Sequence, residues 1–377
     1  MKIKRTVCTI LAFMLLTGLC ACTKKDSSEN MQDEAAIETT NNSENTCHIN
    51  IEPVEHLIID ADAVEPNQDE YSVFSLQFSM PTVTDVADHF FCGKETQIVN
   101  NDSDSLYVTS ADGGEFSCNK YGLSFYISEY DKWAEIASIM NYYIDIDYYE
   151  EITPPDYMTK EDVEELVEST IKDCAISFTP VITKCISMSH TDLIALQQKL
   201  LSDPEKHYDD FGKAFNLSKL DSSDDAYFVA FSFAYDDIPI FSQEEASWVS
   251  YSVPNMLMSN GMSGEMVITA EGVKYLEIMG ACFTPTLNSS SKILTVDEAV
   301  EKLTEKYELE ILQSDQIYSS VYIEYMPIEK ENGQIYLTPY WCFDCSINNN
   351  QSGDNYSSII RSVRFNAITG EDFSYGG

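Results

Sequence analysis

Positive charge is scarce in this chain of 377 residues: 22 Lys and Arg stand against 63 Asp and Glu, for a formal net charge of −41. A nucleic-acid surface needs clustered cations to displace counterions from phosphates, so DNA and RNA are poor partners. The same balance disfavours anionic lipid or teichoic-acid surfaces and favours cations or basic protein patches. Histidine is scarcer still. His48, His56, His89, His190 and His207 show neither His-x-His nor His-Glu-x-x-His spacing, so no zinc site is expected from them. Serine-nucleophile patterns are also missing. Ser169-x-x-Lys172 and Ser289-x-x-Lys292 lack the companion Ser-Asp-Asn and Lys-Thr-Gly motifs, and Gly261-Met262-Ser263-Gly264-Glu265 misses the nucleophile elbow by one residue. No catalytic residue, cofactor or metal is expected.

Long apolar runs are confined to the N-terminus. Lys2, Lys4 and Arg5 precede an apolar stretch from Val7 to Leu19, too short for a stable spanning helix, which ends in small residues and cysteine. Leu19-Cys20-Ala21-Cys22 resembles a bacterial lipobox, where Leu three places before a cysteine and a small residue just before it direct a lipoprotein signal peptidase. The resemblance implies cleavage between Ala21 and Cys22, with Cys22 lipidated. Cys20 fits less well, because bulky Leu19 would occupy the small position. An ordinary secretory cut or an uncleaved anchor are the alternatives. A diacylglyceryl cysteine, carrying palmitate-type chains, has two anchors at about 0.8 kcal/mol per buried methylene, which suffices for stable attachment to the bilayer. The expected location is the extracytoplasmic face of the cell membrane. Losing residues 1–21 removes three cations and no acid and carries the net charge from −41 to −44.

Residues 22–50 are rich in Asn, Ser, Thr and Glu and nearly free of large apolar side chains, which predicts a disordered tether. As a flexible coil it spans roughly 30 Å. The whole chain is 44% hydrophobic and 12% aromatic, and the part after the tether is long enough for a substantial core. Eight cysteines remain beyond the signal and Cys22: Cys47, Cys92, Cys118, Cys174, Cys185, Cys282, Cys342 and Cys345. An oxidising location permits disulfides among them, with buried thiols as the alternative and no basis for choosing a pairing.

The pattern predicts an α+β fold of antiparallel sheets with a few helices. Residues 51–155 form a β-rich region, in which Tyr71–Phe78 and Leu123–Ile127 are strands separated by turns at Asn100-Asn101-Asp102 and Ala111–Gly114. Asp131 to Met140 places Trp133, Ile136, Ala137 and Met140 on one helical face, and Ile144 to Tyr148 alternates as a strand. A first α+β unit spans 156–290. Thr159 and Asp162 form a capping box ahead of a stripe of Val163, Leu166, Val167, Thr170 and Ile171, and Ser189 with Asp192 opens a second helix over 190–201. Ala226–Tyr235 is a long strand, and Met266–Ile278 a hairpin turning at Glu271-Gly272.

The second α+β unit, 291–377, repeats the theme. Thr295 to Leu303 aligns with Thr159 to Val167, threonine cap on threonine cap, and strands follow at 316–325, 335–344 and 362–368. Thr295 to Glu371, ending Arg364-Phe365-Asn366-Ala367-Ile368-Thr369-Gly370-Glu371, is similar to a PepSY-type unit. It also resembles the outer part of YycI-type regulatory proteins and uncharacterised lipoproteins of low-GC Gram-positive bacteria. The resemblance implies two PepSY-like helix-plus-sheet units and extracytoplasmic binding or regulation, often of a peptidase or signalling partner, with no catalytic residues to carry over.

Trp341-Cys342-Phe343-Asp344-Cys345 has the form of a thioredoxin-like dithiol. That chemistry needs the first cysteine at a helix N-terminus, and Ser346 to Gly353 cannot propagate a helix. A strand instead puts Trp341 and Phe343 on one face and Cys342 and Asp344 on the other. Asp145, Asp147, Glu150 and Glu151, or Asp221, Asp224 and Asp225, offer oxygen ligands for calcium, but neither group has the Asp-x-Asp-x-Asp-Gly loop. The expected role is non-enzymatic binding of a protein or peptide at the cell surface, through a sheet face or edge. Alternatives are a hydrolase using paired carboxylates and a solute-binding lipoprotein.

Overall fold

Residues 226–235, Ala-Tyr-Phe-Val-Ala-Phe-Ser-Phe-Ala-Tyr, are buried along all but the last position, so this strand is covered on both faces. Tyr227, Val229, Phe231 and Phe233 point into one core, and Ala226, Phe228 and Ala230 into another. The architecture grows outward from that alternation.

The computed structural model describes residues 46–64, 70–142, 157–202, 216–242, 261–308, 310–330, 333–347 and 359–373. The predicted signal with Ala21 and Cys22, the strand at 144–148, its acids with Glu150 and Glu151, and His207 lie outside them. In chain order come β1 (Thr46–Val54), β2 (Leu57–Val64), β3 (Glu70–Phe78), α1 (Val83–His89), β4 (Thr96–Asn101), β5 (Ser105–Ser110), β6 (Glu115–Asn119), β7 (Gly122–Tyr126) and α2 (Tyr130–Tyr142). Next are α3 (Lys160–Asp173), β8 (Thr179–Met188), α4 (His190–Ser202), β9 (Ala226–Tyr235), β10 (Ile238–Pro239), β11 (Ser263–Thr269), β12 (Gly272–Met279) and β13 (Phe283–Lys292). The last are α5 (Val296–Tyr307), β14 (Gln316–Glu329), β15 (Ile335–Ile347) and β16 (Ile359–Asn366). The fold is α+β and strand-dominated. No helix among the described residues is long and apolar enough to cross a membrane.

The strands form two sheets. The seven-stranded sheet runs β1-β2-β14-β15-β3-β13, with β16 also on β15, and the nine-stranded sheet runs β10-β9-β11-β12-β7-β6-β5-β4, with β8 also on β9. Pairing is antiparallel except for β2 with β14. The principal core lies between the sheets and receives α1, α3 and α5 through Val86, Val163, Val167, Ile171, Val296, Leu303 and Tyr307. On the other side of the nine-stranded sheet, α2 and α4 pack Trp133, Ile136, Met140, Leu193, Leu196 and Leu200 against β9. Gly264 on β11 faces Phe231, where an added Cβ would fall 2.4 Å from a ring carbon, so this crossing needs glycine.

Three helix starts read from sequence are present. The Thr159 and Thr295 amides donate to Asp162 and Glu298 at 2.8 Å, and the Asp192 amide donates to Ser189 Oγ at 3.2 Å. Those backbone hydrogen bonds favour the charged carboxylates and lower the pKa of Asp162 and Glu298. Gly370 closes the C-terminal turn at φ +72°, donating to the Asn366 carbonyl at 2.8 Å.

Two expectations need correction. The tether cannot extend to Asn50, because β1 begins at Thr46: Cys47 and Ile49 alternate onto the core within an otherwise polar stretch. The divisions 51–155, 156–290 and 291–377 do not coincide with the sheets. β2 and β3 from the first region pair with β14 and β15 from the last, and β13 joins β3. Also unanticipated were β8, β13 and α1, although Thr82 and Asp85 form a capping box for α1.

Candidate functional site: an exposed sheet edge

The residues singled out in the sequence are mostly occupied with structural tasks. Cys342 and Cys345 lie in β15 on opposite faces. Cys345 joins the principal core, while Cys342 sits with Phe241, Tyr322, Met326 and Tyr340 in a smaller cluster on the other face of the sheet. Three positions apart on a strand, they cannot form a disulfide. Burial pushes the Cys342 thiol well up, the reverse of a reactive dithiol's nucleophile. Trp341, fully buried, donates its indole N–H to the Leu294 carbonyl at 3.0 Å.

Asp221, Asp224 and Asp225 do not converge on a common centre. Asp221 accepts from the Ser223 amide at 2.9 Å, Asp224 pairs with Lys132 at 2.8 Å, and Asp225 holds both the His190 amide and its Nδ1, at 2.7 and 2.8 Å. Ser169 donates to the Leu166 carbonyl at 3.0 Å. One arrangement missed in the sequence has triad form. Asp173 lies 2.6 Å from His89 Nδ1, and Thr170 Oγ1 lies 3.1 Å from Nε2. Thr170 is fully buried within α3, so no substrate reaches its hydroxyl, and the trio clamps α1 onto α3.

Two buried carboxylates share the face of the seven-stranded sheet that carries Cys342. Glu324 on β14 accepts from Arg364 Nε on β16 at 2.6 Å, with Phe241 4.9 Å from the guanidinium carbon. Asp344 on β15 accepts from the Tyr322 hydroxyl at 3.0 Å and the Ser362 hydroxyl at 2.5 Å. Burial drives the Tyr322 phenol pKa well up. Glu324 stands opposite Tyr340, four positions from Asp344, which is roughly 13 Å along the sheet. Each carboxylate has its own partners, so the two do not form the close pair that glycosidase-type chemistry uses.

The sheet edges are unequal. Among the described residues β1, β4, β8, β10, β13 and β16 each pair with a single neighbouring strand. Five carry the usual protection against strand addition, proline or charge: His48, Glu52 and Pro53 on β1, Pro180 and Lys184 on β8, Pro239 on β10, Pro285 and Lys292 on β13, and the inward-pointing Arg364 on β16. β4, Thr-Gln-Ile-Val-Asn-Asn, has neither. Its Ile98 and Val99 are 52% and 54% exposed. Ile98 lies opposite fully buried Val108 of β5, so the core-facing side of the sheet continues past the last paired strand. The turn read at Asn100-Asn101-Asp102 starts later, because both asparagines belong to β4.

The base of β4 is held to β5 by a polar knot. The Ala111 amide donates to the Glu95 carbonyl at 3.1 Å, and Asp112 accepts from Lys94 and from the Ser110 hydroxyl. The Lys94 hydrogen bond, then that of Ser110, lowers the Asp112 pKa to about 2. Its stabilising contribution is therefore complete above the ordinary aspartate value and lost as pH falls through about 2. Carboxyl carbon NMR should give a midpoint near that value, and Lys94→Met should return it toward about 3.9. An unchanged midpoint in the variant would exclude Lys94 as the cause.

No family model matches the chain, and no curated protein matches it by sequence. A solved structure of an uncharacterised protein from Eubacterium rectale is similar with a TM-score of 0.52 and 14% identity, over 87% of this chain and 93% of that one. That likeness concerns the fold alone.

Proposed function

We propose that this protein is a non-enzymatic lipoprotein, anchored through diacylglyceryl Cys22 on the extracytoplasmic face of the membrane, that binds an extended peptide segment of a partner protein along β4. The observation that carries the reading is the β4 edge, which lacks proline and charge and exposes two β-branched apolar side chains. An added strand gains backbone hydrogen bonds from such an edge and covers Ile98. Glu95 precedes β4 and Asp102 follows it, and hydrogen bonds from the Asp104 amide and then Asn100 lower the Asp102 pKa. With a net charge of −41, this favours a segment that is apolar at its centre and basic at its ends. In this reading α3 and α5, each opening on a threonine capping box and leading into antiparallel strands, are the two PepSY-like units.

The test is fluorescence anisotropy with a panel of labelled extended peptides of that pattern. The double variant Ile98→Lys/Val99→Lys is expected to weaken binding at least about tenfold, roughly 1.4 kcal/mol, without lowering the melting temperature. Leu287→Lys on the β13 edge is expected to leave binding unchanged. Equal losses from both edges would refute a role specific to β4.

A further inference from the structure

We infer that Cys118 and Cys282 form a disulfide that fastens the two sheets together. Cys118 lies on β6 of the nine-stranded sheet, and Cys282 immediately precedes β13 of the seven-stranded sheet, where the chain crosses from one to the other. Both are 1% exposed, and their sulfurs stand 3.7 Å apart in thiol contact. A disulfide needs about 2.05 Å, so each sulfur has to move by only about 0.8 Å. Cys174, at the end of α3, lies in the same core near enough to act electrostatically on both. It is the competing thiol, but the direct contact is between Cys118 and Cys282. Cys342 and Cys345, three positions apart on one strand, face opposite ways.

The bond forms by exchange with an external disulfide, either a small molecule or an oxidoreductase. One protein thiolate attacks a sulfur of that reagent, releasing its first thiol and leaving a mixed disulfide. The second protein thiolate then attacks the mixed bond and releases the other thiol. Two cysteines are oxidised to one S–S bond, and one external disulfide is reduced to two thiols, which take up both protons. Both positions are closed to solvent in the folded chain, so exchange precedes closure of the sheets. Formation in the cell rests on the extracytoplasmic location proposed above, because a reducing compartment does not sustain such bonds.

The experiment is non-reducing peptide mapping by mass spectrometry after thiol alkylation under denaturing conditions. It uses the full-length protein isolated from cells, and the same protein reduced and refolded in a glutathione redox buffer. The expected product in both is a peptide joined through Cys118 and Cys282, with Cys174 alkylated. The link persists in Cys174→Ala. Reductant lowers the melting temperature by roughly 5–10 °C. A refolded sample in which Cys118 and Cys282 are both alkylated, or in which either is joined to Cys174, overturns the pairing. A link in the refolded sample alone supports the pairing and counts against the outward location instead.

Discussion

Arg364→Met alone is expected to destabilise the protein by roughly 3–5 kcal/mol in urea unfolding, because it leaves the Glu324 carboxylate buried without its cation. Glu324 and Arg364 are 3% and 7% exposed, and their contact bridges β14 and β16 across the intervening β15. Glu324→Leu alone is expected to cost a similar amount, since it removes the carboxylate that faces the buried guanidinium beside Phe241. The double variant Arg364→Met/Glu324→Leu should recover most of the loss, because each member of the pair gives up its hydration to enter the sheet and much of the attraction only offsets that. The informative quantity is the coupling between the two changes. Additive losses would mean that the ion pair is not the interaction holding this face together.

The second large effect concerns location. Cys22→Ser is expected to move the protein almost completely from the membrane fraction to the soluble fraction, or to leave it as an unprocessed precursor, because the hydroxyl cannot carry a thioether-linked diacylglyceryl group. In the lipoprotein proposed above, two acyl chains at about 0.8 kcal/mol per methylene make attachment stable, so their loss should shift nearly all of the protein. Mass spectrometry of the wild-type terminus should show a lipidated Cys22 with residues 1–21 absent. An unmodified terminus, or membrane retention of a processed Cys22→Ser protein, would contradict the anchor.

Local features of the fold were legible because local physics fixes them. Thr159, Ser189 and Thr295 start helices where side chains reach back to amides three residues on. The alternation around Trp341 marks a strand because the following residues cannot continue a helix, and the two faces it predicted are the two cores observed. The shared sheet was not legible. Pairing of β2 with β14 and of β3 with β13 joins distant parts of the chain, and a single sequence carries no local signal for such partners. β1 was hidden because an edge strand is polar on its exposed side, so the composition of Thr46 to Asn50 matches that of a tether. β4 failed to stand out for the same reason: Gln97, Asn100 and Asn101 resemble turn chemistry, and what distinguishes the strand from five other edges is that it has neither proline nor charge, its one irregularity being a register shift between Ile98 and Asn100. The Glu324–Arg364 pair was equally invisible, since 63 acids give no sign of which one is buried.

The most direct test of binding along β4 is site-specific photo-crosslinking in intact cells, with a benzophenone side chain at Val99 and, as controls, at Leu287 on β13 and Ile51 on β1. The account predicts one discrete crosslinked partner from Val99, recovered in the membrane fraction, whose linked peptide is apolar at its centre with basic flanks, and no such product from either control. The same partner captured equally from all three positions, or no product from Val99 while a control position yields one, would contradict it.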